Sequence, residues 1–85
     1  MIEKVKIPIR LDKLDGSQKD KMKEILETLG YVSGSIDVGS YTVFYLYVDM
    51  RSENIINILE KFPGGAEGLK KYIKSTLRLL GYTSY

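Results

Sequence analysis

Apolar and polar residues alternate with period two over residues 5–11, residues 41–50 are a strand-favouring run that alternation splits into two faces, and elsewhere the apolar residues recur at helical spacing. In the first stretch Val5, Ile7, Ile9 and Leu11 share one side while Lys4, Lys6, Pro8 and Arg10 share the other, which predicts a half-buried strand with a basic wet face. Pro8 lacks a backbone donor and marks this strand as an edge, or its own position as turned away from a neighbour. Ser17 is placed to cap a helix of about four turns, with Asp20 in its first turn and Met22, Ile25, Leu26 and Leu29 as its apolar stripe. Gly30, followed by Tyr31 and Val32, fits a left-handed helix stop. After a loose connection at Ser33, Gly34 and Ser35, a short strand at residues 36–38 turns through Gly39-Ser40 into the longest strand-forming run of the chain. That run has a core face of Thr42, Phe44, Leu46, Val48 and Met50, and a second face of Tyr41, Val43, Tyr45, Tyr47 and Asp49.

Ser52 is placed to cap a second helix bearing Ile55, Ile56, Leu59 and Phe62, which Pro63-Gly64-Gly65 ends. A third helix is expected over residues 66–80, with Leu69, Ile73, Leu77 and Leu80 buried and Lys70, Lys74 and Arg78 stacked on another face. Gly81 repeats the stop signal of Gly30. The order is therefore β-α-β-β-α-α, which implies a single two-layer α+β domain spanning residues 1–85, a three-stranded mixed or antiparallel sheet with its helices on one face. A right-handed crossover through the first helix is expected to set the first strand beside the third, parallel or nearly so. The other sheet face would then present Lys4, Lys6 and Arg10 beside Tyr41, Tyr45 and Tyr47.

Composition narrows the chemistry. The 85 residues include no cysteine and no histidine, which removes disulfides, thiolate metal sites, a cysteine nucleophile and the usual general base near neutral pH. No catalytic residue, metal site or cofactor is expected, and the chain is expected not to be an enzyme. The longest apolar run, residues 43–48, is far short of a membrane span, and the N-terminus has charges where a signal peptide would have an apolar core. A cytoplasmic protein without a membrane role is the expectation. The net charge is only +2, yet residues 68–85 hold Lys70, Lys71, Lys74 and Arg78 and no acid. One Gln, two Asn and no Cys beside abundant Lys and Glu lean toward a thermophilic source.

Basic residues beside exposed aromatics on an open sheet suit single-stranded RNA or DNA, because bases stack on rings while Lys and Arg neutralise phosphates. The same residues also suit a protein interface, as homo- or heterodimer, which is the leading expectation, or a plain solvated face. The Lys70, Lys74, Arg78 stripe either tracks phosphates or is the wet side of an amphipathic helix. Residues 63–68 lack the Lys and Ser/Thr that a phosphate-binding loop needs after its last Gly, and a helix-to-helix turn is the expected structure. Asp12, Asp15 and Asp20 do not have calcium-loop spacing, and capping and solubility explain them.

The segment Leu69-Lys70-Lys71-Tyr72-Ile73-Lys74-Ser75-Thr76-Leu77-Arg78-Leu79-Leu80 resembles the final helix of the Pcc-type small subunit of the KEOPS complex, where Leu-Arg, Asn-Ser and Leu-Arg-Trp recur at this spacing. Ile36-Asp37-Val38, a turn and a long strand ending at Asp49 are similar to the middle of that family, and strand-helix-strand-strand-helix is its order of elements. Lys70, Lys74 and Leu79 stand where the family favours Arg, Asn and Trp, and residues 51–67 correspond to an inserted helix and turn. The resemblance implies a non-catalytic, dimerising accessory subunit of a complex that places threonylcarbamoyladenosine on tRNA. The expected function is accordingly a binding and assembly subunit associated with RNA, and the alternative is a stand-alone domain for single-stranded nucleic acid.

Overall fold

A computed structural model describes residues 4–85. The elements follow the expected order: β1 (Lys4–Asp12), α1 (Gly16–Leu26), β2 (Tyr31–Val38), β3 (Tyr41–Asp49), α2 (Glu53–Lys61) and α3 (Ala66–Leu79). The sheet order is β1-β3-β2, and both pairings are antiparallel. β1 does lie beside β3, but the expected parallel orientation is incorrect. The crossover through α1 joins β1 to β2, and these two run parallel with a central position left vacant between them. The tight hairpin then feeds β3 into that gap, antiparallel to both neighbours.

Gly39-Ser40 makes this hairpin tight. Gly39 has φ 60° and Ser40 has no positive φ, the pattern of a two-residue type II′ turn. Alternation then sorts the sheet. Ile7, Ile9, Leu11, Val32, Thr42, Phe44, Leu46 and Val48 are buried beneath the helices together with Met22, Leu26, Ile55, Leu69, Ile73 and Leu77. α1 packs against β2 and α3 against β1, so one face of the sheet carries the helix layer.

Local chemistry departs from expectation at several points. Asp15, not Ser17, caps α1: its carboxylate accepts from the Gln18 N–H at 2.8 Å while the Gln18 side chain accepts from the Asp15 N–H at 3.0 Å. This reciprocal pair needs an amide or acid at the third helical position, which Gln18 supplies to Asp15 and Asp20 to Ser17, and the longer helix start wins. α1 ends at Leu26 rather than at the glycine. Gly30 has no positive φ, and its role is close approach, since a Cβ there would be driven into the Tyr47 carbonyl. Gly81, in contrast, is a true left-handed stop with φ 93°: its N–H donates to the Arg78 carbonyl and the Tyr82 N–H to that of Leu77. Leu80 sits at this cap and is 54% exposed instead of buried. Ile56 also faces outward on α2, which Ser52 caps as expected.

β2 is longer than predicted, because residues 31–35 join it as strand. Ser33 is an extra residue: Val32 pairs with Leu46 and Gly34 with Tyr45. This bulge shifts the phase of the rest of the strand. Asp37 is turned to the helix side, where its carboxylate accepts from Thr42 Oγ1 at 2.9 Å and from Lys19 Nζ at 2.8 Å. Ile36 and Val38, the apolar residues of the strand, are turned to the other side.

Candidate functional site

Among the described residues no helix covers the sheet face opposite the helix layer, and the residues of that face are fixed by register. Across the three strands, Lys6 lies opposite Tyr47, which pairs with Tyr31; Arg10 lies opposite Val43, which pairs with Ile36; and Asp12 lies opposite Tyr41, which pairs with Val38. Lys4, Lys6, Arg10, Tyr41, Tyr45 and Tyr47 thus share one surface, with Lys4 opposite Asp49 and Pro8 opposite Tyr45. The tyrosines are half-buried and the three β1 cations exposed.

The cations do not stand free of the rings. Lys6 Nζ lies 4.5 Å from the Tyr45 ring centroid and the Arg10 guanidinium 4.9 Å from that of Tyr41. Each reaches diagonally, to the tyrosine two positions before the residue directly opposite. Long side chains on an antiparallel pair make such contacts readily. Tyr31 and Tyr47 stack at a tilt, with centroids 6.3 Å apart, and Tyr31 is 61% exposed.

The chain adds a further ring from its far end. Ser84 forms a bridge with Leu11, and the Tyr85 N–H donates to the Arg10 carbonyl at 2.9 Å. Tyr85 then lies edge-on to Tyr41 at 5.5 Å, beneath the same Arg10 guanidinium, and its hydroxyl donates to Asp12 Oδ1 at 2.8 Å. Chiefly that hydrogen bond to a carboxylate, then desolvation, raises the Tyr85 pKa above its usual value. Because the Arg10 carbonyl points to the tail, β1 turns the backbone groups of its even-numbered residues away from β3. Pro8 therefore spends its missing donor on the outer edge.

α3 brings the second set of predicted residues to the same edge. Lys70 and Lys74 line a groove of about 400 Å³ with Arg10, Pro8, Ile9 and Ile73. Arg78 lies farther along, in a groove of about 590 Å³ that Lys71 and Lys74 also line. The sequence separates these cations into two candidate surfaces, whereas the fold makes Arg10 and Lys74 neighbours on one rim. Tyr31, Ile36, Val38 and Tyr85 are the surface residues that sequence reasoning misses. The alternation of residues 36–38 is visible in the sequence, but the bulge that sets its phase is not.

Among the described residues, no three His, Cys, Asp or Glu side chains converge as a metal site would require, and no helix is long and apolar enough to cross a membrane. No protein-family model, curated protein or solved structure matches the chain.

Proposed function

We propose that the chain is a non-catalytic binding and assembly module, and that the open sheet face is where it docks a protein partner or a second copy of itself. The observation that carries this reading is the inverted phase of β2. A bulge turns Ser35 and Asp37 toward the helix side and leaves Ile36 and Val38 outward, 48% and 53% exposed, beside a row of tyrosines. Placing the apolar residues of a strand in water costs free energy that burial in an interface recovers. Aromatic rings with arginine at the margin suit the centre of such an interface.

The resemblance of α3 and the β2–β3 hairpin to the Pcc-type KEOPS subunit points the same way, toward an accessory subunit of a tRNA-modifying complex that works in the cytoplasm. A second reading, direct binding of single-stranded nucleic acid on this face, draws support from the exposed Tyr31 ring and from Lys6 and Arg10. Bases would have to share the Tyr45 and Tyr41 rings with those cations, which favours the protein interface.

Sedimentation velocity across a wide concentration range, with and without partner proteins captured from the native host, tests the assembly reading. Association is expected, and Ile36→Lys is expected to abolish it while leaving the chain folded, because that side chain is exposed already. A strict monomer that captures no protein would sink the proposal, as would association indifferent to Ile36→Lys.

A further inference from the structure

We infer that the groove between the outer edge of β1 and α3 is a binding track for the sugar-phosphate backbone of a single-stranded nucleic acid. This goes beyond the assembly reading and uses a different surface. Its first support is the convergence of charge from distant parts of the chain: Arg10 from β1 with Lys70 and Lys74 from α3. The track continues into the adjoining groove, where Lys74 is joined by Lys71 and Arg78. Lys70, Lys74 and Arg78 follow one another at intervals of four residues, about 6 Å along the helix axis. A repeated row of cations fits a polymer with one charge per unit better than a single small anion.

The edge itself decides between a polynucleotide and an acidic peptide. A peptide would bind here by adding a strand to β1, drawing on the outward backbone groups of its even-numbered residues. Pro8 offers no donor at the middle of that row, and the Tyr85 N–H already occupies the Arg10 carbonyl. A sugar-phosphate chain needs neither group. It needs cations along a groove with apolar surface beside them, which exposed Pro8 and half-buried Val43 supply. Among the described residues that line the groove, Glu67 carries the one acidic side chain. It is an exposed residue at 3.5 Å from Lys70, in an ion pair too solvated to hold that lysine against a phosphate.

The test is fluorescence anisotropy of a labelled oligouridine of about 12 nucleotides against the full chain over a series of salt concentrations, a length within the usual single-strand site sizes. Wild type is expected to bind at low salt. Lys70→Gln combined with Lys74→Gln is expected to weaken binding at least tenfold and to reduce the slope of log K against log salt by about 1.4, or about 0.7 for each phosphate no longer neutralised. Glu67→Gln is expected to tighten binding. Lys21→Gln, on the exposed side of α1 and outside both grooves, is the control for diffuse attraction.

No binding at low salt overturns the inference, and so does an equal loss from Lys21→Gln. Equal competition by polyglutamate of similar length transfers the groove to an acidic protein segment and also overturns it. A loss confined to Tyr45→Ala would place the strand on the sheet face instead. Ile36→Lys, which tests the assembly reading, is expected to leave this binding unchanged, so the two can fail separately.

Discussion

Among the described residues Thr42 is the one buried polar side chain, and removing its hydroxyl tests how the helix layer is tied to the sheet. Its Oγ1 accepts from the buried Leu14 N–H at 3.0 Å and donates to Asp37 Oδ1 at 2.9 Å. Lys19 of α1 completes the chain on the other Asp37 oxygen at 2.8 Å. The network fastens the start of α1 to the β2–β3 hairpin. In Thr42→Val the Leu14 N–H loses its partner in a dry site, a cost of about 1–3 kcal/mol. The added methyl returns less than about 1 kcal/mol, roughly the value of one buried methylene. Asp37 keeps Lys19 and water, so its loss is small. The net expectation is about 1–2 kcal/mol of destabilisation, or roughly 4–16 °C in Tm for a domain of this size.

Urea unfolding at pH 7 measures it, as a fall in the midpoint without a change in slope. A pH series sharpens the attribution. The Lys19 hydrogen bond first, then that of Thr42, lowers the Asp37 pKa below its ordinary value of 3.8. Stability from a depressed carboxylate is present above the unfolded pKa and is lost as pH falls through the folded one. The gap between wild type and Thr42→Val should therefore narrow below about pH 4. It should not close, because the orphaned Leu14 N–H does not titrate. Thr42→Ser, which keeps the oxygen, should retain the acid-limb behaviour of wild type. A Thr42→Val chain as stable as wild type would refute the reasoning, as would a gap that widens as the pH falls below about 4.

The two helix-following glycines give a second contrast. Gly81→Ala should cost about 1–2 kcal/mol by forcing a Cβ into a left-handed conformation, and Gly81→Asn should cost less. Gly30→Ala should disturb the β2–β3 pairing by driving a Cβ into the Tyr47 carbonyl, and Gly30→Asn should not relieve it; chemical denaturation of the four variants checks both. For the tail, the raised pKa of Tyr85 means that its anchoring persists below about pH 10 and is lost as pH rises through the folded value. Tyr85→Phe should loosen the tail already at neutral pH, and NMR signals of residues 82–85 across an alkaline titration follow the difference.

The strand faces of β1 and β3 were legible because each alternates without interruption, and Pro8 correctly marked β1 as an edge. The antiparallel pairing of β3 with β2 was legible in the Gly39-Ser40 turn, but its orientation relative to β1 was not, because a parallel crossover between β1 and β2 leaves a vacancy that only the hairpin fills. At Gly30 and Gly81 the same local signature, Leu-Gly-Tyr, has two physical causes. One is contact with a neighbouring strand and the other is backbone handedness, and the first depends on a partner 17 residues away, Tyr47. The site followed the same division. Lys4, Lys6, Arg10 and the three β3 tyrosines fell on one face as periodicity required, while Ile36 and Val38 joined them through a bulge that a Ser-Gly-Ser segment conceals. Tyr85 joined through a single bridge to β1, and no spacing rule announces a contact of that range.

The central position of β3 also orders the formation of the molecule in time. Its pairing with β2 closes through a two-residue turn, a local event on the scale of microseconds, whereas its pairing with β1 must close a loop that contains α1, β2 and the turn. The hairpin can therefore form first, carrying Tyr31, Ile36, Val38 and the β3 tyrosines on one bare side. Lys6 and Arg10 arrive only with β1, and the Tyr85 ring only after β1 is in place to receive the tail. Until then the nascent chain displays an aromatic ribbon with both long edges unpaired. Capture by a partner at that stage would compete with completion of the sheet, because the edge of β3 that β1 has to occupy is still open.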